Sequence, residues 1–340
     1  MSAAEAGTAS DPAGLDAGAL CAGFAVHPHV LLAVSGGPDS TALMWLAARW
    51  RQESGASTRL SVATVDHGLR PESADEAREV GRLAVGLGLT HAVLDLPSPL
   101  PGARLQEAAR HARYERLAAH ARAIGARAIA TAHTLDDQAE TVLFRLMRGS
   151  GLTGLAGMAG ERALDELVLL RPLLGCPKAA LVALCREAGL PFVEDPSNHN
   201  PRFARARLRA LMPALAAEGL DAARLDRLAA RLRRADAALE AAAEAAMARL
   251  GVAGQDFAFD RAGLHDVPEE IALRLLARAI AARGEGGLEL AKLEALLAWL
   301  LALPEGARGA RTLAGALVRV SLRRVSITRA PARRSPPIHF

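Results

Sequence analysis

The stretch Val34-Ser35-Gly36-Gly37-Pro38-Asp39-Ser40 gathers the residue types that hold a phosphate group. Gly36 and Gly37 let the backbone turn tightly and approach a ligand, Ser40 can cap a following helix, and the first-turn N–H groups form a nest for an anion. No lysine follows the glycines, and the two lysines of the chain, Lys178 and Lys292, stand far along the sequence. The loop is therefore not a Walker A element. Its phosphate charge must be met by backbone dipoles, arginines and a metal, and Asp39 is the group placed to bring Mg2+ to the phosphates.

A second set consists of His133, Asp137 and Glu140, spaced i, i+4 and i+7. That spacing puts all three on one face of a predicted helix. Such a face suits an ammonium substrate, a metal, or a general base that takes a proton from an attacking amine. Asp136 falls off it, and the helix dipole alone would account for Asp136 and Asp137 in a first turn. Asp66-His67 ends a predicted strand. His67 reads either as a turn histidine bonded to its own backbone or, beside the phosphate loop, as a nucleotide-facing group. Arg110, Arg113 and Tyr114 share a helical face, and either pair with acids of a neighbouring helix or meet phosphate or RNA. Glu194-Asp195-Pro196-Ser197-Asn198 leads into Arg202, Arg205, Arg207 and Arg209. Guanidinium planes clamp phosphates and stack on bases, which fits an adenylate or an anticodon loop, with a solvated helix face as the plain alternative.

The elements that must position these groups alternate along the chain. Short apolar runs at His29–Val34, Leu60–Asp66, Thr90–Leu96, Ala126–Ala132 and Leu167–Leu170 predict buried strands. Between them, helical spacing covers Thr41–Trp50, Ser73–Val85, Leu105–Ala123 and a segment capped by Thr134 that runs to Met147, and Pro177–Ala188 follows the last strand. Strands that alternate with helices of this length pair in parallel through right-handed crossovers. The expectation is an α/β fold, an open five-stranded parallel Rossmann-like sheet of order 3-2-1-4-5, with ligands at its carboxyl rim. After Pro213 the pattern becomes helical at Leu220–Leu250, Pro268–Arg283 and Leu288–Leu303, and Ala316–Ile327 alternates like a hairpin. The predicted division is a leader at 1–27, a nucleotide-binding domain at 28–212, and a mainly helical domain with a hairpin and basic tail at 213–340.

The loop Ser35–Ser40 resembles the PP-loop of the ATP pyrophosphatases, which cleave ATP between its α- and β-phosphates to adenylate a carbonyl oxygen. Further blocks narrow the resemblance to the tRNA(Ile)-lysidine synthases: Val65 to Arg70, Arg110 to Tyr114, Thr131 to Thr141, Arg145 to Gly151, Gly154 to Met158, Arg171 to Leu174, and Glu194 to Asn198 with Arg205, Arg207 and Arg209 behind. The match spans residues 30 to 209. It implies ATP at Ser35–Ser40, Asp66 and His67, Mg2+ near Asp39, and lysine over the sheet at His133, Asp137 and Glu140. Arg110, Arg113, Arg205, Arg207 and Arg209 would then meet tRNA or the adenylate. The implied reaction joins free L-lysine to C2 of the wobble cytidine in the CAU anticodon of tRNA(Ile), with AMP and pyrophosphate released. Thr134 stands where the family often has a second histidine.

Composition sets the outer limits. A chain of 340 residues, 51% hydrophobic and 23% charged, has the makings of about two globular domains. No apolar run approaches the roughly 18 residues of a membrane span, and Arg49 is the first basic residue, so a cytoplasmic protein is expected. Residues 1–100 carry 6 arginines against 11 acids, while 200–236 carry 9 against 4 and 305–340 carry 8 against 1. The basic half faces an anionic partner. Cys21, Cys176 and Cys185 have no metal-ligand spacing and read as reduced and structural. Other readings stay open: a tRNA thiolase, which would call for reactive cysteines near the loop; a synthetase coupled to a glutaminase; and an RNA-binding protein with a vestigial loop. A homodimer is compatible with the chain, though no feature selects one.

Overall fold

The computed structural model of the chain describes residues 14–66, 73–96, 105–193, 204–250 and 257–331. His67, the segment from Glu194 to Asn198 and Arg202 lie outside the described residues. The chain forms two compact units, one of residues 1–148 with 157–229, the other of 149–156 with 230–340.

In the first unit the central strand β1 (His29–Ala33) is buried along its whole length, as an apolar run covered on both faces must be. It pairs in parallel with β2 (Arg59–Asp66) and β4 (Ala128–Thr131). Strand β3 (Thr90–Asp95) adds to β2, and β6 (Leu167–Leu170) adds to β4, both in parallel. These are the five expected strands in the expected order. A sixth was not expected: β5 (Glu161–Leu164) folds back antiparallel on β6, giving the order β3-β2-β1-β4-β6-β5. It is short, polar and largely exposed, and carries none of the apolar signal that marks a buried strand.

Helices cover both faces. Next to α1 (Ala17–Cys21), Phe24 packs edge-on against Trp50 of α2 (Pro38–Ser54), with ring centroids 5.7 Å apart. Core packing thus begins upstream of residue 28. The same face takes α3 (Ser73–Gly86) and α7 (Lys178–Glu187), while α4 (Leu105–Ala123) supplies Leu117, Ala118 and Ala121 to the other. On α5 (Leu135–Met147), Ala139, Val142 and Leu143 pack with Leu208 of α8 (Ala204–Ala217) and with Leu225 and Ala229 of α9 (Ala222–Arg249). A four-residue α6 (Leu152–Leu155) lies in the Gly-rich stretch between α5 and β5. Pro213 does not end a helix, since it sits inside α8, and the first unit runs on through Ala229.

The second unit is more than helical. Besides α10 (Arg261–His265), α11 (Glu269–Arg283) and α12 (Leu290–Leu301), it holds a four-stranded antiparallel sheet in the order β7 (Phe257–Asp260), β10 (Arg324–Arg329), β9 (Ala316–Val320), β8 (Gly309–Leu313). Strands β9 and β10 form the expected hairpin, flanked by β7 and β8. The apolar stretch near residue 300 is a core helix, with Leu293, Leu296, Leu297 and Leu300 buried. Among the described residues no helix is long and apolar enough to cross a membrane.

Candidate active site

The parallel strands end at one rim, and the chemistry-bearing segments leave from it. Between β1 and α2 the backbone enters the left-handed region at Gly36, with φ +85°, where a side chain would be strained. Gly37 is the N-cap of α2 and Pro38 its first helical residue, a place where proline loses no hydrogen bond. Ser40 does not cap the helix as its position suggested. Its Oγ accepts from the Ser35 N–H at 3.1 Å and donates to the Gly37 carbonyl at 3.0 Å, fastening the loop on itself. The Val193 N–H donates to the Gly36 carbonyl at 2.9 Å and holds the loop from the far side of α7.

Asp39 is partly buried, and its two oxygens differ. Oδ2 accepts from Lys178 Nζ at 3.0 Å, whereas Oδ1 is buried with no hydrogen-bond partner among the described residues. Burial pushes the Asp39 carboxyl above its ordinary pKa, against the pull of Lys178. An orphaned carboxylate oxygen in a phosphate loop fits a hard cation. No group of three or more His, Cys, Asp or Glu side chains could hold a metal among the described residues. Mg2+ would fit this donor set with Asp39 as its protein ligand and phosphate oxygens and water for the rest.

Lys178 corrects the expectation that no lysine lies near the loop. It opens α7, 139 residues from Asp39 in sequence, and its backbone N–H donates to Asp136 Oδ2 at 2.8 Å. Asp136 thus reaches from the first turn of α5 to fix the start of α7. The available signal was compositional: Lys178 is one of two lysines among 41 basic residues.

Asp137 is tied into its own helix. Thr134 is the N-cap, and Asp137 Oδ2 accepts from the Thr134 N–H at 2.9 Å and from its Oγ1 at 3.1 Å, closing a capping box. Glu140 is 2% exposed and meets Arg209 through both oxygens, Nε to Oε1 at 2.7 Å and Nη2 to Oε2 at 3.1 Å. Burial raises the Glu140 pKa and Arg209 partly offsets it. The structure therefore joins in one ion pair two residues expected in separate roles.

His133 precedes the N-cap and so is not on the helix face with Asp137 and Glu140; it leaves directly from the end of β4. Its Nδ1 lies 2.9 Å from Thr131 Oγ1, which donates to the Leu170 carbonyl at 3.4 Å. If Thr131 gives its proton to that carbonyl, it accepts from Nδ1–H and the Nε2 lone pair faces the site. Burial lowers the His133 pKa to about 4, and the charges of Arg171, Arg110 and Arg113 act in the same direction against Asp137. The ring is neutral at physiological pH.

The arginines themselves form a positive group. Arg171, just beyond β6, is 7% exposed, donates through Nη1 to the Ala159 carbonyl at 2.7 Å and leaves Nε buried with no hydrogen-bond partner among the described residues. Arg110 lies over the Tyr114 ring at 5.4 Å, and burial lowers the pKa of Arg113. Arg205 and Arg207 are exposed on α8, with the charge of Arg205 acting on Glu140. Asp66 ends β2 at the same rim, in register with Asp95. Gln138, fully buried, brackets Met158, donating to its carbonyl at 3.0 Å and accepting from its N–H at 2.7 Å. Arg171 and Gln138 were not among the expected site residues, and both work through backbone groups that no spacing rule exposes.

Comparison with known proteins agrees with this architecture. A family profile described as a PP-loop domain matches residues 17–215. The chain is 50% identical over 329 residues to a tRNA(Ile)-lysidine synthase of Bradyrhizobium diazoefficiens, covering 90% of this chain and 91% of that one. It is 55% identical over 314 residues to one of Methylobacterium nodulans, with the same coverage. Among solved structures, a U34-tRNA thiolase from Methanococcus maripaludis with its [4Fe-4S] cluster superposes with a TM-score of 0.51 at 17% identity. That likeness covers 60% of this chain and 71% of the thiolase, and concerns the fold alone.

Proposed function

The chain belongs to the tRNA(Ile)-lysidine synthases, and from that membership we propose how its residues divide the work. The enzyme is an ATP-using ligase that forms lysidine in tRNA. In the first step the C2 oxygen of the wobble cytidine, in a CAU anticodon of tRNA(Ile), attacks the α-phosphorus of ATP and pyrophosphate leaves. In the second, the ε-amine of free L-lysine forms the C2–N bond as the C2–O bond to AMP breaks, and the amine proton is released to solvent.

The Ser35–Ser40 nest and the α2 dipole take the α- and β-phosphates, while Asp66 and His67 border the nucleotide. Asp39 is the residue that would hold Mg2+, which would supply positive charge against the pyrophosphate. Asp137, with Oδ2 held in its capping box, offers its other oxygen to the lysine ammonium. Glu140 joins it once Arg209 turns to an anion of the substrate. His133 presents Nε2 as a hydrogen-bond acceptor; its low basicity suits orientation of the amine more than removal of a proton from an ammonium. Arg110, Arg113, Arg205 and Arg207 face the adenylate and the RNA backbone.

The observation that carries this reading is the sharing of one sheet rim by the phosphate loop with Asp39 and the carboxylates of Asp137 and Glu140. Sulfur transfer finds less support. Cys21, Cys176 and Cys185 are buried, and burial pushes the Cys185 thiol up to about 11, far from a reactive thiolate. The reaction draws on ATP, tRNA and free lysine, which places it in the cytoplasm, and a homodimer is compatible with it.

The test is pyrophosphate release and lysine incorporation with purified protein, ATP, Mg2+, lysine and tRNA(Ile) carrying CAU, against the elongator methionine tRNA with the same anticodon. Both products with the first tRNA and neither with the second are expected. ATP cleavage without lysine incorporation would refute the lysine site at Asp137 and Glu140.

A further inference from the structure

A phosphate loop without its own lysine leaves the triphosphate short of positive charge, and the fold supplies one from elsewhere. Lys178 Nζ sits 3.0 Å from Asp39 Oδ2, on the second residue of α2, so the ammonium already lies at the mouth of the anion nest. The side chain of Lys178 is 41% exposed and that of Asp39 21%, which leaves the ammonium free to turn without unpacking the core. Its root is fixed. Asp136 caps the backbone of Lys178, the Leu135 N–H donates to the Cys176 carbonyl at 2.9 Å, and Cys185 Sγ of α7 donates to the Pro38 carbonyl at 3.4 Å. Two of these contacts hold the start of α7 against the start of α5, and the third ties its last turn to the first residue of α2, with the Lys178 ammonium reaching Asp39 between them.

We propose that Lys178 is the phosphate-binding lysine of this enzyme, exchanging its contact with Asp39 for one with the triphosphate when ATP binds. The inference rests on ATP occupying the Ser35–Ser40 loop. Such a lysine serves both states: it screens Asp39 from its neighbours Asp136 and Asp137 before binding, and afterwards it leaves Asp39 free to meet a cation. The rival role is purely static, with Lys178 doing no more than neutralising Asp39.

A double-mutant cycle separates the two. Affinity is measured by calorimetry for ATP in excess EDTA, so that no metal contributes, and for adenosine as the control without phosphates. The proteins are the wild type, Lys178→Met, Asp39→Asn and the double variant, with melting curves to confirm folding. If Lys178 contacts phosphate, Lys178→Met weakens ATP binding about tenfold even in the Asp39→Asn background, adenosine binding is unchanged, and Lys178→Arg recovers part of the loss. If Lys178 only neutralises Asp39, its removal has no effect once Asp39 carries no charge, and the inference fails. Failure of the nucleotide site itself is distinguishable, because the wild type would then bind neither ATP nor adenosine.

Discussion

Arg209 grips Glu140 through two hydrogen bonds, 2.7 and 3.1 Å long, and thereby stitches α8 to α5 beneath the candidate lysine site. The carboxylate is almost wholly buried while the guanidinium keeps part of its surface in water. The pair is asymmetric: the glutamate depends on the arginine far more than the reverse. Arg209→Ala strands a buried charge and should cost about 1 to 3 kcal/mol in urea unfolding, below the full figure for a closed buried pair because Arg209 is half-open to solvent. The pH dependence has a definite sign. The folded-state pKa of Glu140 is raised, so its contribution to stability is complete at low pH and falls away as pH rises through the carboxylate range and beyond. Arg209→Ala raises that pKa further, and the loss should be larger at pH 8 than at pH 5. An equal loss at both would show that Arg209 acts through packing alone.

His133 titrates far below its usual range, at about 4, because it is buried among positive charges. A depressed histidine contributes stability above its unfolded pKa of 6.5 and loses it as pH falls through the folded value, at about 1.4 kcal/mol per unit. The wild type should therefore lose roughly 3 kcal/mol from this ring between pH 7 and pH 4, a slope that His133→Gln removes. The histidine proton resonance lost in His133→Gln should show no titration near pH 6.5 in the wild type. A midpoint there would contradict the buried, neutral ring.

Asp39→Asn keeps the shape of the side chain and removes the charge that a cation would need. Pyrophosphate release with saturating tRNA is expected to fall by at least about 100-fold, the scale of losing an electrostatic stabiliser of the leaving group. The melting temperature should change little, because the Asp39–Lys178 pair is partly exposed and worth little to stability. Activity within a few-fold of wild type would remove Asp39 from the mechanism.

Gly157 has φ +72°, and a Cβ there would stand 2.8 Å from Gln138 Oε1. Gly157→Ala would strain the backbone and push against the amide that brackets Met158. About 2 kcal/mol of destabilisation is expected by chemical denaturation, the usual cost of a special backbone conformation combined with a crowded neighbour. A neutral result would mean that the Gln138 side chain can move aside freely.

Arg205 and Arg207 are exposed on α8, in a stretch rich in arginine. If each neutralises one phosphate, replacing it with alanine weakens tRNA binding at low salt and lowers the slope of log affinity against log salt by roughly 0.7 to 0.9. An unchanged slope assigns that residue to the solvated surface.

Much of the fold was legible because apolar runs and caps are local. The five parallel strands and the Thr134 cap follow from the composition of a few adjacent residues. Strand β5 was not legible, since a short polar edge strand is defined by its partner β6 and not by its own residues. The same division holds at the site. The phosphate loop is a contiguous motif and could be read directly. The Lys178–Asp39 and Arg209–Glu140 pairs close across 139 and 69 residues, and no periodicity reports them. The i, i+4, i+7 spacing puts His133 on the helix, but a cap residue interrupts a helix without disturbing the count, so the ring belongs to the strand end. Residue type alone makes Ser40 a cap, whereas Gly37 takes that position and the hydroxyl ties the loop.

The cluster that joins α5 to α8 and α9 also sets an order of events during synthesis. The apolar face of α5, formed by Ala139, Val142 and Leu143, is translated well before Leu208, Leu225 and Ala229, which cover it. Until those residues leave the ribosome, the helix that carries Asp137 and Glu140 has an uncovered side, and Glu140 has no arginine to hold. A polypeptide released early, near residue 200, would own the phosphate loop and yet leave the α5 face uncovered and Glu140 without Arg209.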